Sequence, residues 1–233
     1  MTINESTKKA RDIVTSYDGP KLRIMEVCGT HTHEIFRLGI RRLLPDNIEL
    51  ISGPGCPVCV TPVSYIDEAV MLALDKKVTI TTFGDLIRVP GTKMSLAGAR
   101  SQGAKVNVVY SPLDSLEYAK EHPEEQVVFL AVGFETTTPG SVMAVREAKA
   151  QGIENFSILT ANKTMYNAYL ALKGSADAFL YPGHVSTMTG MEEYYKLRDE
   201  HGTSGVVAGF SGSEVLTALA VIIKKIEENK PFA

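Results

Sequence analysis

The sequence has few cysteines and no long apolar run. Three cysteines in 233 residues are too few for the disulfide framework of a secreted domain, so they are better interpreted as metal ligands, redox groups or small buried side chains. No apolar run approaches the roughly 20 residues that a membrane-spanning helix needs, and the first residues lack the apolar core of a secretory signal. These absences favour a cytoplasmic protein.

The sequence also lacks an excess of charge of one sign. It has 24 basic and 27 acidic residues, for a net charge of -3. Binding to nucleic acid or to an anionic membrane requires clustered lysine and arginine, and the one basic cluster, Arg37, Arg41 and Arg42, is too small. We therefore expect neither kind of partner. The length allows one large domain or two small ones.

Short β-branched runs alternate with amphipathic segments along the chain. The runs that predict strands lie at 22–27, 48–51, 78–82, 106–110, 127–132, 156–159, 178–181 and 206–208. The segments between them that predict helices include 34–44, 65–74, 113–121, 142–151 and 214–228, and a further helix is expected at about 4–17. Strict alternation of strand and helix predicts an α/β fold with parallel sheets and right-handed crossovers.

The predicted strands favour two doubly wound, Rossmann-like units that face a central cleft. One eight-stranded barrel is the alternative, but it typically needs about 250 residues. The polar segment 121–126, which contains Pro123, divides the strands four and four. We therefore expect a helical arm at 1–20, a first α/β domain at 21–122 and a second at 123–233.

Glycine together with polar or thiol-bearing residues follows six of the eight predicted strands. The segments are CGTHTH at 28–33, SGPGCPVCVTP at 52–62, TFGDLIRVPG at 82–91, GFETTTP at 133–139, YPGHVS at 181–186 and AGFSGSE at 208–214. Ligands of open parallel sheets bind beyond the carboxyl ends of the strands. The pattern predicts one convergent site in the cleft between the units.

Cys56 and Cys59 form a C-x-x-C motif in a loop that glycine and proline constrain. One interpretation is a redox dithiol that forms a small-ring disulfide. The other is half of a zinc site, whose further ligands would come from Cys28, His31 or His33. The spacing alone leaves both interpretations open.

Cys28 directly follows an apolar strand, and a lone cysteine in that position is commonly a buried hydrophobic residue. However, His31 and His33 follow within five residues, and thiolate and imidazole are donors suited to iron, zinc or copper. The two histidines cannot both share a helix face with Cys28. We therefore expect at most one of them to bind a metal, while the other is a hydrogen-bonding or capping neighbour.

Glu135 and His184 are the other side chains with chemistry at a strand end. Glu135, in GFETTTP, is suited to act as a general acid or base, but a carboxylate that caps the following helix is the simpler role. His184, in PGHVS, lies where a strand ends and a helix begins.

Six segments, in this order, resemble the HypD family of hydrogenase maturation factors. They are MEVCGTHTHEIFRLGIRRLLP, ISGPGCPVCVTP, TFGDLIRVPG, VVYSPLD, VVFLAVGFETTTP and YPGHVS, and the resemblance extends from about 23 to 210. It implies a scaffold on which the Fe(CN)2CO moiety of [NiFe]-hydrogenases is assembled, rather than a turnover enzyme. It also implies that Cys28 holds the iron in a site shared with a HypC-type chaperone, and that HypE donates the cyanide groups.

The resemblance implies roles for the other motifs as well. Cys56 and Cys59 would be a redox-active pair at the iron site. The other residues expected to line the site or to bind the cofactor are His31, His33, Glu135, Thr136 and His184. A thiol-disulfide oxidoreductase that uses Cys56 and Cys59, and a structural zinc protein, are the alternatives.

The sequence departs from the family pattern in three places. Members continue into a cysteine-rich region that holds a [4Fe-4S] cluster, and no cysteine follows Cys59 here, so the chain is interpreted as a truncated or diverged form without the ligands of that cluster. It has ANKTMYNAY at 161–169 where members commonly show a histidine and a proline-containing helix start. It has GFSGSEV at 209–215 in place of GFEPLD, which removes an acid and a proline beside the expected cleft.

Overall fold

Strands and helices alternate throughout the protein, as the sequence periodicity predicts. The structure, a computed structural model, describes residues 3–76, 78–229 and 231–233. The strands are β1 (Leu22–Glu26), β2 (Ile48–Ser52), β3 (Thr79–Thr82), β4 (Val106–Val108), β5 (Val127–Ala131), β6 (Phe156–Thr160), β7 (Ala178–Pro182) and β8 (Gly205–Ala208).

The helices connect these strands. They are α1 (Ile3–Thr15), α2 (Gly29–Arg37), α3 (Val63–Leu74), α4 (Leu96–Ser101), α5 (Pro112–Glu121), α6 (Thr138–Gln151), α7 (Met165–Ala171), α8 (Gly183–Thr189), α9 (Glu192–His201) and α10 (Gly212–Glu227). Short 3₁₀ helices lie at Ile40–Leu43 and Leu86–Arg88. Among the helices described, none combines the length and the apolar character that a bilayer crossing requires.

The eight strands form two four-stranded sheets in which neighbouring strands are parallel. The strand order is β2-β1-β7-β8 in the first sheet and β4-β3-β5-β6 in the second. Since parallel neighbours need crossover connections, each sheet is flanked by the helices that link its strands. The predicted fold class, α/β with two doubly wound parallel units, is confirmed.

The chain divides into two compact units, but the division differs from the expected boundary. The first unit comprises Met1–Cys56 and Thr164–Ala233, and the second comprises Pro57–Lys163. The polar segment 121–126 lies inside the second unit, as an ordinary connection from α5 to β5. The reason is that β5 pairs with β3, so the strand after this segment extends an existing sheet and does not start a new one.

The N-terminal helix is part of the first unit and not a separate arm. Ala10 and Val14 of α1 are buried in the same core cluster as Leu22 and Ile24 of β1. Helix α10 contributes seven further buried residues to this cluster. Burial of this apolar helix face is what attaches both ends of the chain to the first sheet.

The second sheet is covered on both faces. Phe129 and Leu130 are neighbours in β5 and are both fully buried. Because successive side chains in a strand point to opposite faces, they pack into two different core clusters. This arrangement is typical of a parallel sheet in an α/β unit.

The helix predicted at 34–44 begins five residues earlier and ends at Arg37. Gly39 has a φ angle of 65°, a left-handed conformation that glycine adopts without steric cost, and the chain continues as the 3₁₀ turn at Ile40–Leu43. As a result, α2 begins immediately after Cys28, and its first turn carries His31.

Candidate functional site

Cys28 occupies the N-cap position of α2, directly after β1. Its side chain is 9% exposed and is not part of a disulfide. The first amide groups of a helix have no partner within the helix, and their partial positive charge stabilises negative charge close to them. The buried sulfur of Cys28 thus lies at the carboxyl edge of the first sheet, beside the N-terminus of α2.

His31 lies at the third position of α2 and is fully buried. Cys28 at the N-cap and His31 at the third helical position therefore both lie in the first turn of α2. His33 is exposed and lies on another face of the helix. The structure thus distinguishes two histidines that the sequence could not.

The surroundings of His31 determine which ring nitrogen carries the proton. Its Nε2 lies 2.8 Å from the carbonyl oxygen of Gly209. Because a carbonyl only accepts hydrogen bonds, we assign the proton to Nε2. Burial lowers the pKa of His31, although hydrogen bonding to the backbone at Gly209 and Ala208 partly opposes this shift. The ring is therefore neutral, and Nδ1, which is buried without a hydrogen-bond partner, carries a free lone pair.

Phe210 lies between two histidine rings at the end of β8. The centroid of its ring is 4.6 Å from that of His31 and 5.3 Å from that of His184. His184 is half-buried in the first turn of α8, and burial lowers its pKa. The adjacent strands β1, β7 and β8 thus contribute His31, His184 and Phe210 to one cluster at their carboxyl ends.

The carboxylate of Glu214 packs against Gly209. A Cβ atom on Gly209 would lie 2.3 Å from Cδ of Glu214, so a larger residue does not fit unless this side chain moves. Glu214 accepts hydrogen bonds from the backbone N–H and the hydroxyl of Ser211, which lower its pKa. The negative charge of Glu214 raises the pKa of His31 and so opposes part of the lowering caused by burial.

The GFSGSEV segment, which lacks the acid of the family pattern at position 211, still places a carboxylate at this site, because it contains Glu214. The residue directly after Phe210 is a serine instead of the expected acid, but Glu214 supplies a carboxylate three residues later. The sequence signal for this role was the capping-box pattern, serine followed three residues later by glutamate, which the structure contains at the start of α10.

The loop that leads to Cys56 lies against the end of β1. The N–H of Gly53 donates to the carbonyl of Glu26 at 2.7 Å. Gly55 packs so closely that a Cβ atom there would lie 1.3 Å from the carbonyl oxygen of Val27, which explains why glycine is required. Cys56 follows as a partly buried thiol and ends the first segment of the first unit.

Glu26 is a fully buried carboxylate next to this loop. Its Oε1 accepts from the Ser52 hydroxyl at 2.8 Å and from Arg41 at 3.1 Å, while Oε2 is buried without a partner. Burial raises the pKa of Glu26, and the bonds from Ser52 and Arg41 oppose that shift. Sequence reasoning missed this residue, and the available signal was an acid at the end of an otherwise apolar strand.

Three predicted site residues belong to the second unit. Cys59 is an exposed thiol in the turn at 57–60. Glu135 is half-buried and Thr136 is exposed in the turn between β5 and α6. The N-cap of α6 is Thr137, so Glu135 does not occupy the capping position. The boundary between the units falls between Cys56 and Pro57, inside the C-x-x-C motif.

Lys163 is a further polar residue near the cysteine loop of the second unit. Its ammonium donates to the carbonyl of Ala161 at 2.9 Å and to the hydroxyl of Thr61 at 3.5 Å. Thr61 in turn donates to the carbonyl of Pro57. Burial lowers the pKa of Lys163, and nothing in the sequence pattern singled it out.

The cluster in the first unit has the donors that a soft or borderline metal ion prefers. Cys28 offers sulfur, and the lone pair on Nδ1 of His31 offers nitrogen. Both side chains are buried, which limits access of water. The residues present therefore offer a donor set that fits such an ion.

Comparison with known proteins identifies one family. Residues 2–233 match the model of the HypD family, described as the hydrogenase formation hypA family. The hydrogenase maturation factor HypD of Rhodobacter capsulatus is 42% identical over 213 residues, and that of Escherichia coli (strain K12) is 43% identical over 208 residues. The alignments cover 90% and 88% of this chain but 56% of each relative. The chain thus spans little more than half the length of these relatives.

Among solved structures, the ligand-free, open form of a substrate-binding protein from Clostridium difficile aligns over 92% of this chain and 89% of its own. The two sequences are 14% identical and the TM-score is 0.18.

Proposed function

Because the chain belongs to the HypD family of hydrogenase maturation factors, we propose that it is a scaffold on which the Fe(CN)2CO moiety of [NiFe]-hydrogenases is assembled. Iron is then the cargo of the protein and not a resident cofactor. The single observation that supports this proposal is that the first turn of α2 carries both Cys28, at the N-cap, and His31, whose Nδ1 is buried without a hydrogen-bond partner.

In this proposal the thiolate of Cys28 holds the iron. Cyanide and carbon monoxide are strong-field ligands, and a soft sulfur anchor suits the low-spin iron that they produce. His31 offers the free lone pair on its Nδ1 to the same iron. The half-buried His184 and the ring of Phe210 form a wall beside it and limit access of water.

Cys56 and Cys59 act as a dithiol in this proposal. When the two thiols form a disulfide they release two electrons and two protons, and in this proposal the electrons would pass to the iron and its incoming ligands while the protons pass to solvent. Glu135 and Thr136, in the GFETTTP motif of the second unit, are proposed as further functional residues.

The proposed partners are a HypC-type chaperone that shares the iron with Cys28 and HypE as the donor of cyanide. The exposed face of α2 supports a protein partner at this position. Phe36 is 80% exposed and Leu38, directly after the helix, is 42% exposed. Apolar side chains left uncovered on the helix that begins at Cys28 are suited to contact a partner that reaches the same iron.

The test is infrared spectroscopy of the protein purified without oxygen together with its HypC-type partner. We expect cyanide and carbonyl stretches in the wild type and their loss in Cys28→Ala, with His33→Ala, an exposed histidine on the same helix, as a matched control that keeps them. Bands that persist in Cys28→Ala, or that are absent from the wild type while a full-length relative shows them, would count against the proposal.

The alternatives predict different outcomes for the same preparations. A structural zinc protein would contain stoichiometric zinc and would unfold on chelation. A thiol-disulfide oxidoreductase would turn over a protein disulfide at a rate that Cys28→Ala leaves unchanged.

A further inference from the structure

We propose that Glu26, Arg41 and Ser52 are positioning residues that hold Cys56 against the strand end that carries Cys28, so that these two thiols together face the iron. We call these three residues the Glu26 network. This inference deepens the proposed function and rests on it for the identity of the cargo.

The Glu26 network joins the ends of β1 and β2. One carboxylate oxygen of Glu26 accepts from both Ser52 and Arg41, and Arg41 also donates to the Ser52 hydroxyl at 3.1 Å. A second guanidinium nitrogen of Arg41 donates to the carbonyl of Leu50 at 2.6 Å. The hydroxyl of Ser52, the last residue of β2, is therefore held by both Glu26 and Arg41 immediately before the cysteine loop begins.

The loop itself leaves little freedom between this anchor and Cys56. Three residues lie between Ser52 and Cys56 along the chain, and two of them contact the end of β1 or the two residues that follow it. Gly53 is hydrogen-bonded to the carbonyl of Glu26, and a Cβ atom on Gly55 would lie 2.6 Å from the backbone nitrogen of Cys28. With standard bond lengths and the spacing of neighbouring Cα atoms, the Cα atoms of Cys28 and Cys56 lie within roughly 10 Å of each other.

An arginine is required at position 41 by this geometry. Its planar fork reaches the Leu50 carbonyl with one nitrogen while another nitrogen contacts Glu26 and Ser52. A lysine presents one point charge and cannot make both sets of contacts at once. Both contacts of Arg41 and Ser52 with Glu26 are made to Oε1, while Oε2 is buried without a hydrogen-bond partner.

The experiment measures how fast dibromobimane, a reagent that becomes fluorescent when it bridges two thiols, links Cys28 to Cys56 in reduced, metal-free protein. It uses the full chain with Cys59→Ser, so that one thiol pair is present. The chain with Cys28→Ser and Cys59→Ser together gives the background. We expect rapid bridging in the first chain and none above background in the second.

The Glu26 network is then altered in the Cys59→Ser chain. We expect Arg41→Lys and Ser52→Ala each to slow bridging about tenfold or more, because proximity and orientation govern such reactions. Ser52→Thr, which keeps the hydroxyl, should restore the rate, and Arg42→Lys, at the exposed neighbouring arginine, should leave it unchanged. Far-UV circular dichroism at the assay temperature identifies any variant that fails to fold. If Arg41→Lys does not fold, the comparison of Ser52→Ala with Ser52→Thr still tests the inference.

The inference is overturned if Cys28 and Cys56 do not bridge above background, or if folded Arg41→Lys and Ser52→Ala bridge at the rate of the parent chain. Because the assay contains no iron and no partner, its result is independent of the infrared test. Rapid, network-dependent bridging in a protein that never shows cyanide bands would refute the scaffold proposal while leaving the geometry in place.

Discussion

His31 and Glu26 are buried ionisable side chains on either side of Cys28, and burial shifts their pKa values in opposite directions. It lowers the pKa of His31 and raises that of Glu26, because a low-dielectric environment disfavours the charged form of each. Hydrogen bonds oppose both shifts without removing them. The environment of Cys28 thus favours a neutral imidazole with an open lone pair at Nδ1.

The buried imidazole should make the protein less stable in acid. The folded-state pKa of His31 lies below the unfolded value near 6.5, so the unfolded chain takes up the proton first and the free energy of unfolding falls as the pH drops below about 6.5. His31→Gln keeps a donor for the Gly209 carbonyl but does not titrate. We expect its loss of stability between about pH 7 and pH 5 to be smaller than that of the wild type by on the order of 1 kcal/mol.

Urea unfolding at the two pH values measures this difference. His33→Gln, at the exposed histidine of the same helix, should follow the wild type. Equal pH dependence in His31→Gln and the wild type would show that His31 is not the titrating group.

Helices and strands differ in how far they could be anticipated. All eight predicted strands are present with ends that differ by at most two residues, because β-branched runs bounded by glycine and polar residues are a strong local signal. Strict alternation predicts helices between the strands, but it gives no bounds for α4, α7, α8 and α9. Helices α4, α7 and α8 have six or seven residues each, too few for the 3.6-residue period to repeat. Helix α9 is strongly charged and buries only two residues, so its apolar period is weak.

Helix α10 links the core to the candidate site through its first turn. Its apolar face is buried against the first sheet, and its N-terminal capping box holds Ser211 and Glu214 next to Gly209. The carbonyl that orients His31 therefore depends on how this helix begins.

Loss of the cap should weaken the first unit by a measurable amount. Ser211→Ala removes the hydroxyl that accepts from the Glu214 N–H, and we expect it to lower the free energy of unfolding by about 1 kcal/mol. Ser211→Thr, which preserves a capping hydroxyl, should lose less than half of that. Urea unfolding of both variants measures the effect, and an alanine variant as stable as the wild type would mean that the cap contributes nothing.

At the scale of the whole molecule, the second unit is one continuous segment inserted into the first. The chain leaves the first unit after Cys56 and returns to it at Thr164. The inserted segment has its own four-stranded sheet and two core clusters. The first unit, in contrast, needs both ends of the chain to complete its sheet.

We therefore expect a fragment comprising residues 57–163 to fold without the rest of the chain. It should show α/β circular dichroism and a cooperative urea transition, since it retains a complete sheet with both faces covered. Phe129→Ala, which removes a fully buried ring, should lower its free energy of unfolding by about 3–5 kcal/mol. A fragment that lacks a cooperative transition would show that the inserted unit depends on the first.

The sequence by itself determined the α/β class, the eight strands, the family and the short list of chemically important residues. These features depend on local periodicity and on motifs of adjacent residues. It could not assign strands to sheets, because β1 pairs with β7 across more than a hundred residues and no local signal records such a pairing. For the same reason the expected boundary at 121–126 differs from the observed division.

Only the tertiary structure decided which residues surround Cys28. It buried His31 and exposed His33, because the start of α2 at Gly29 fixes which face each histidine occupies. It brought Glu214 next to Gly209 and joined Glu26 to Arg41. Such contacts arise when distant segments pack at one sheet edge, where desolvation and hydrogen bonding, rather than residue order, determine what each side chain does.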